Sequence, residues 1–178
     1  MKKRIIFIRR RGFTLVELLM YFAMFVILIT AITIFSVTSI KTIRKNQIKK
    51  EVVSAAYSAM RVMLYEIRAA SNVYNPTSNF DISPGQLSLQ TIQNLPTGEN
   101  LTYIDFYVDS NSNLYLKREN SNPQNLISDK LKVSNLEFKY LASSTESIKI
   151  NLTIEYDSSS PEYQYSYDLT SSANIRKQ

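Results

Sequence analysis

The chain has 178 residues, with 21 Lys and Arg, 15 Asp and Glu, and a formal net charge of +6. It contains no Cys and no His, which excludes disulfides, Cys-ligated zinc, iron–sulfur clusters and catalytic centres built on a thiol or an imidazole. Its glycines, Gly12, Gly85 and Gly98, are too far apart to form a glycine-rich phosphate loop. The length allows one domain of ordinary size and an appendage.

The positive charge is concentrated in the N-terminal third of the chain. Residues 1–12 carry six basic groups and residues 41–50 carry five, and neither segment contains an acidic residue. From residue 51 to the end, ten basic and fourteen acidic residues give a net charge of −4. The basic balance of the whole chain therefore does not indicate that its C-terminal part binds nucleic acid.

Residues 13–40 form an apolar run of 28 residues with one charged residue, Glu17. At 1.5 Å per residue, a helix over this run is about 42 Å long, which exceeds the roughly 30 Å hydrocarbon core of a bilayer. The run is too long for the apolar region of a secretory signal, and no small-x-small cleavage site follows it. The sequence predicts a membrane-spanning helix, and the basic leader predicts a cytoplasmic N-terminus with the C-terminal part exported.

The junction between the basic leader and the apolar run carries a specific motif. Residues 11–19 read RGFTLVELL, with Gly12 before Phe13 and Glu17 at the fifth position after the glycine. This motif resembles the prepilin-type N-terminal cleavage and methylation motif that type IV pilins share with the pseudopilins of type II secretion and competence systems. The resemblance covers residues 12–40, less than a fifth of the chain.

The resemblance implies that a prepilin peptidase cuts between Gly12 and Phe13 and methylates the new Phe13 amine. It also implies that Glu17 pairs with such an amine, preferably that of a neighbouring subunit, during assembly. The implied partners are other pilin or pseudopilin subunits, the peptidase, an inner-membrane assembly platform and the lipid bilayer. The protein is then a structural subunit of the cytoplasmic (inner) membrane, or of a pilus or pseudopilus, with no catalytic residues, cofactor or metal.

Many major pilins have a proline inside the apolar helix, at the position that corresponds to Ile34. The apolar run of this chain contains no proline. An unbroken helix is expected here, since nothing in the run removes a backbone hydrogen bond. Several hydroxyl side chains lie in the run and either bond to the backbone, as ordinary lipid-compatible residues, or contact neighbouring helices. They are Thr30, Thr33, Ser36, Thr38 and Ser39.

The chain beyond the span is predicted to continue the helix to residue 70. Apolar residues recur there at three- and four-residue spacing, which is typical of an amphipathic helix with one face on a core. They are Val52, Ala56, Met60, Met63 and Ile67. A free coiled-coil seam is the alternative. The expected organisation is a leader (1–12), a transmembrane assembly helix (13–40), an amphipathic continuation (41–72) and an exported β-rich domain (73–178).

After Pro76 the apolar period changes to two, which predicts strands. We expect them at 87–89, 103–108, 114–118, 133–140, 148–156 and 163–169, with 109–113 as a hairpin turn. Residues 171–178 are expected to fray. One apolar and one polar face indicate an antiparallel sheet covered on one side by the helix, which gives a pilin-like α+β fold.

Three functions are compatible with the sequence. The first is a minor pilin or pseudopilin; residues 60–70, 114–118 and 133–140 weakly resemble a J-type minor pseudopilin of type II secretion. The second is a competence-type minor pilin that binds DNA through the basic cluster at 41–50, although nucleic acid is the less favoured partner. The third is a plain single-pass, signal-anchored protein.

Two groups of side chains are candidates for other kinds of site. The acidic residues of the exported part have no nucleophile or metal-ligand spacing beside them; they are Asp105, Asp109, Glu155 and Asp157. Catalysis is therefore not expected, and solvated strand faces and turns explain these acids. Four tyrosines near the C-terminus form either an aromatic contact surface or one face of an edge strand, and the edge strand is favoured. They are Tyr156, Tyr163, Tyr165 and Tyr167.

Overall fold

The computed structural model describes residues 12, 14–93, 95, 97–142 and 146–176. Within this part the chain forms one long helix, then strands and a short 3₁₀ helix at Pro161–Tyr163. The helix is α1 (Leu15–Ala69), and the strands are β1 (Asn72–Val73), β2 (Leu87–Thr91), β3 (Thr102–Val108), β4 (Leu114–Arg118), β5 (Gln124–Asn125), β6 (Leu131–Leu141), β7 (Ser147–Tyr156) and β8 (Ser166–Asn174). The chain divides after Arg44 into two compact units, each described by itself below.

In the second unit, Lys45–Gln178, α1 packs on antiparallel sheets, so the α+β prediction is confirmed. All five residues of the predicted apolar stripe, from Val52 to Ile67, are buried. Ala59, which is not one of these five residues, is also buried on this face of the helix. The stripe is therefore a core face and not a free coiled-coil seam.

The strands form two sheets, where the sequence predicted one. The first has the order β1-β2-β3-β4-β5 and the second the order β6-β7-β8, with antiparallel neighbours throughout. The outer edge of β6 is occupied by the connection between β1 and β2. The backbone N–H of Asp81 donates to the Phe138 carbonyl (2.9 Å), and that of Gly85 donates to the Leu136 carbonyl (2.7 Å). Because this loop uses the edge groups of β6, no strand of the first sheet pairs there.

Gly85 permits this close approach of loop and strand. A Cβ atom at this position would lie 3.1 Å from the Ile82 carbonyl oxygen and from Cδ2 of Phe138, and 3.2 Å from the Leu136 carbonyl oxygen. Two of these three neighbours are backbone atoms, which cannot move without disturbing the hydrogen bonds just described. A larger residue would therefore push the loop away from β6.

The C-terminal strand is longer than predicted and begins later. β8 starts at Ser166, because Tyr163 lies in the 3₁₀ helix, and it continues to Asn174. Ser171 pairs with Ile150 and Ala173 pairs with Ile148, while Ala173 and Ile175 are buried. The expectation that residues 171–176 fray was wrong; residues 177–178 lie outside the described part.

One buried ion pair joins the helix to the first sheet. Nη2 of Arg118, at the end of β4, lies 2.6 Å from Oε1 of Glu66. The Glu66 side chain is only 7% exposed, whereas that of Arg118 is 39% exposed. Burial raises the pKa of Glu66, and the positive charge of Arg118 opposes part of that rise. The carboxylate of Glu66 is therefore held in the core by its bond to Arg118.

The second unit has a core of its own. Every buried hydrophobic residue among those the structure describes lies between Val52 and Ile175. The alternate residues of β6 and β7 that face this core are all large and apolar, from Leu131 to Ile154. We therefore expect Lys45–Gln178 to fold without the apolar segment that precedes it.

Candidate functional site

The helix α1 begins with a side-chain cap that includes the motif residue Glu17. The Oγ1 atom of Thr14 accepts a hydrogen bond from the backbone N–H of Glu17 at 3.3 Å. The Thr14 carbonyl accepts one from the N–H of Leu18 at 3.2 Å. Thr14 is thus the N-cap in a Thr-x-x-Glu pattern, and Glu17 is the third residue of the helix. A carboxylate at this position is favoured by the positive end of the helix dipole.

The cleavage site that the motif predicts is only half within the described residues. Gly12 is exposed, and among the described residues a Cβ atom placed on it would contact nothing within 4 Å. The surrounding fold therefore does not require a glycine at position 12. Phe13, the expected site of methylation, and residues 1–11 of the leader lie outside the described part of the chain.

Glu17 is an acidic group at the start of an apolar helix, and its side chain is exposed. In the region that the structure describes, no cation forms an ion pair with its carboxylate. An acidic side chain at the centre of a bilayer costs about 2.5–3.5 kcal/mol on insertion scales, and less near the membrane edge. A cation from outside the described residues would reduce this cost.

The hydroxyl groups farther along the helix already have partners. The side chains of Thr30, Thr33, Ser36 and Thr38 each donate to the carbonyl four residues earlier, at 2.8–2.9 Å. These bonds satisfy the hydroxyls within the helix, as expected of ordinary lipid-compatible residues. The helix also runs through Ile34 without a break, as the absence of proline predicted.

The surface of α1 is predominantly apolar on all sides as far as residue 40. From residue 14 to residue 40, every described side chain is exposed except that of Ser39, which is half-buried. By length and composition, α1 is able to cross a membrane. An exposed apolar surface of this size calls for lipid or other apolar helices around it.

The other candidate residues have structural explanations. Asp105 accepts a hydrogen bond from the Ser88 hydroxyl at 2.6 Å, and one Asp109 oxygen accepts from the backbone N–H groups of Asn111 and Asn113 in the hairpin turn. Within the described ranges, no group of three or more acidic, His or Cys side chains is placed to hold a metal ion. These acids stabilise turns and strand faces.

The C-terminal tyrosines contribute to packing more than to a free surface. The hydroxyl of Tyr167 on β8 lies 3.2 Å from that of Tyr57 on α1, with ring centroids 6.0 Å apart. The hydrogen bond to Tyr57 raises the pKa of Tyr167. Tyr165 is half-buried and lies beneath a lysine. The edge-strand interpretation holds for Tyr167 alone, because Tyr156 ends the central strand β7, Tyr163 lies in the 3₁₀ helix and Tyr165 precedes β8.

Sequence reasoning overlooked two polar contacts. The Thr14 cap has a sequence signal, since Thr-x-x-Glu before an apolar run is typical of a helix start. The Glu66–Arg118 pair has none, because the two residues are 52 positions apart and each fits an exposed face by pattern.

Residues 8–37 match the family described as the prokaryotic N-terminal methylation motif. No match is found among curated protein sequences or among solved structures. The motif supports a type IV pilin-like family and indicates a pilin-type or pseudopilin substrate of prepilin peptidase. Together, the motif and the long apolar helix fit a membrane-anchored, single-pass protein.

Proposed function

We propose that the chain is a minor pilin or pseudopilin, a structural subunit that assembles through its apolar helix into a type IV pilus or type II secretion pseudopilus, or primes one. One observation carries this proposal. Glu17 lies in the first turn of an exposed, unbroken apolar helix, without an ion-pair partner among the described residues. Such a carboxylate needs a cation, and the proposed processing creates one.

The proposed processing step supplies that cation. Cleavage between Gly12 and Phe13 frees the amine of Phe13, and α-amino groups have an ordinary pKa of about 8, so the amine is charged at neutral pH. Placed near the positive end of the helix dipole, this ammonium is disfavoured in its own chain unless a carboxylate is close. Pairing it with Glu17 of a neighbouring subunit satisfies both charges in a low-dielectric surrounding. Uncut subunits lack the amine at Phe13, so they assemble poorly.

The proposal includes the expected organisation and location. The leader is 1–12, the assembly helix 13–40, its continuation 41–72 and the exported domain 73–178. The N-terminus lies on the cytoplasmic side of the inner membrane, where the peptidase and the assembly platform act on it. A J-type minor pseudopilin and a type IV minor pilin both remain candidates within this class.

DNA binding receives less support from the basic cluster at 41–50. The cluster directly follows the apolar run, so lipid headgroups compete with DNA for it. Residues 51–178 carry a net charge of −4, which repels a polyanion. A plain signal-anchored protein, the remaining alternative, does not explain the specific Gly-Phe-x₃-Glu pattern.

Replacing Gly12 by leucine is expected to block processing while the chain still inserts into the membrane. The fold places nothing near Gly12 among its described residues, so any effect reports recognition by the peptidase. The measurement is the electrophoretic mobility of the membrane-bound chain in cells with and without prepilin peptidase. Ala23→Leu, which enlarges an exposed side chain inside the span, serves as the matched control and should be cut normally. Normal cutting of the Gly12→Leu chain would contradict the proposal.

A further inference from the structure

A groove lined by lysines and tyrosines lies where α1 enters the second unit. One wall is formed by α1, with Lys45 and Lys49, and the other by the end of the 3₁₀ helix and the residues after it, which are Glu162, Tyr163, Gln164 and Tyr165. The volume of the groove is about 230 Å³. Lys45 and Lys49 lie one helical turn apart on the same side of α1, and two cations at this spacing suit an anionic group such as a phosphate.

The two lysines can both reach a ligand in this groove. Nζ of Lys45 lies 3.4 Å from Oε1 of Glu162, but the two side chains are 51% and 38% exposed, so solvent and salt screen this pair. Lys49 is exposed and lies over the ring of Tyr165, and none of the described acidic groups pairs with it. The groove therefore offers one weakly paired ammonium group and one without an acidic partner.

The position of the groove along the chain indicates the source of the anion. Lys45 follows the last residue of the apolar run by five positions, which is about 8 Å along a helix. A bilayer of roughly 40–45 Å with a 30 Å core has headgroup layers of about 5–8 Å on each side, so Lys45 is at headgroup level when the outer end of the apolar run, Ile40, lies at the edge of the core. Lys49 reaches the same level through its flexible side chain, and tyrosine is enriched at this depth.

We propose that this groove binds the phosphate of an anionic phospholipid headgroup, in the leaflet where the span leaves the membrane. The rest of the exported part is acidic, so an anionic membrane surface attracts this end of the unit and repels the remainder. Binding would hold the second unit on the membrane surface until the chain leaves the membrane to join a filament. The span identifies the source of the anion, but the residues that bind it all lie in the second unit, so binding is independent of cleavage and co-assembly.

The test uses the fragment 41–178, whose core lies entirely within Lys45–Gln178. It is sedimented with vesicles of phosphatidylglycerol and phosphatidylcholine, or of phosphatidylcholine alone. Binding is expected only with phosphatidylglycerol, and it should weaken as salt is added. Each lysine near an anionic surface contributes a factor of about five in affinity, so Lys45→Gln together with Lys49→Gln should reduce binding by roughly 10- to 30-fold.

The matched control removes two positive charges elsewhere on the same helix. Arg61 and Arg68 are exposed, and in the described part of the chain neither has an ion-pair partner, so Arg61→Gln with Arg68→Gln makes the same charge change. This variant should retain binding within about twofold. The proposal is overturned if the wild-type fragment ignores phosphatidylglycerol vesicles at low salt, or if both double variants lose binding equally. Release of bound fragment by millimolar glycerol phosphate would reassign the groove to a soluble phosphate ester and also overturn it. Equal melting temperatures show that both variants are folded.

Discussion

Replacing Glu17 by alanine is expected to leave membrane insertion intact and to reduce incorporation of the chain into filaments or tip complexes at least tenfold. Insertion depends on the apolar surface of α1, which the change makes more apolar. The helix start also survives, because the bond to Thr14 Oγ1 is donated by the backbone N–H of residue 17 and not by its side chain. What is lost is the carboxylate that offsets the Phe13 ammonium of a neighbour, and leaving one charge unpaired in a dry interface costs several kcal/mol.

Two readouts separate assembly from insertion. Resistance of the chain to alkaline extraction of membranes measures insertion, and its recovery with sheared filaments or cross-linked partner subunits measures assembly. Glu51→Ala, which removes a carboxylate from the same helix beyond the span, should behave as wild type in both. Normal recovery of the Glu17→Ala chain in filaments would show that Glu17 has no role in assembly.

Replacing Arg118 by methionine is expected to destabilise the second unit by about 1–3 kcal/mol at pH 7.5. The change leaves the Glu66 carboxylate buried without its partner. The expected loss of stability is smaller than for a fully buried ion pair, because Arg118 is 39% exposed and solvent screens its charge. Lys117→Met on the same strand is the control; its side chain is exposed, and the change should cost less than about 0.5 kcal/mol. Chemical unfolding of the fragment 41–178 measures both.

The loss of stability caused by Arg118→Met should depend on pH, because it depends on whether Glu66 is charged. Burial raises this pKa above 4.5 in the folded state, and the variant loses the opposing effect of Arg118, so its folded pKa is higher still. A raised carboxyl pKa means that the folded state binds the proton more tightly, so stability falls as pH rises from 4.5 through the folded pKa. The loss in free energy of unfolding of Arg118→Met relative to wild type should be largest at pH 7.5 and should shrink toward pH 4.5. A cost that stays constant over this range would show that Glu66 is not the group left unpaired.

Periodicity predicted the helix and most of the strands because it depends on each segment alone. The stripe from Val52 to Ile67 is buried as expected, and the hairpin of β3 and β4 follows the turn residues 109–113. The division into two sheets was not predictable in this way. Alternation shows which face of a strand is buried, but not that the loop around Gly85 would occupy the edge of β6.

The residues of the candidate site could be predicted from the sequence, but the contact of Glu17 could not. The motif at residues 11–19 identifies Gly12, Phe13 and Glu17, since each is specified by its position relative to the apolar run. The ion pair proposed for the Glu17 carboxylate is not part of the fold of one chain, because its proposed partner is the cut N-terminus of another subunit. The tail of β8 was underestimated, because only Ala173 and Ile175 supply apolar alternation in a segment otherwise rich in Ser and Asn.

The most direct test of the central claim is the intact mass of the chain purified from membranes of cells that contain prepilin peptidase. We expect the mass of residues 13–178 plus one methyl group, with fragmentation placing that methyl on the amine of Phe13. A membrane form that still begins at Met1 and carries no methyl group would contradict the account.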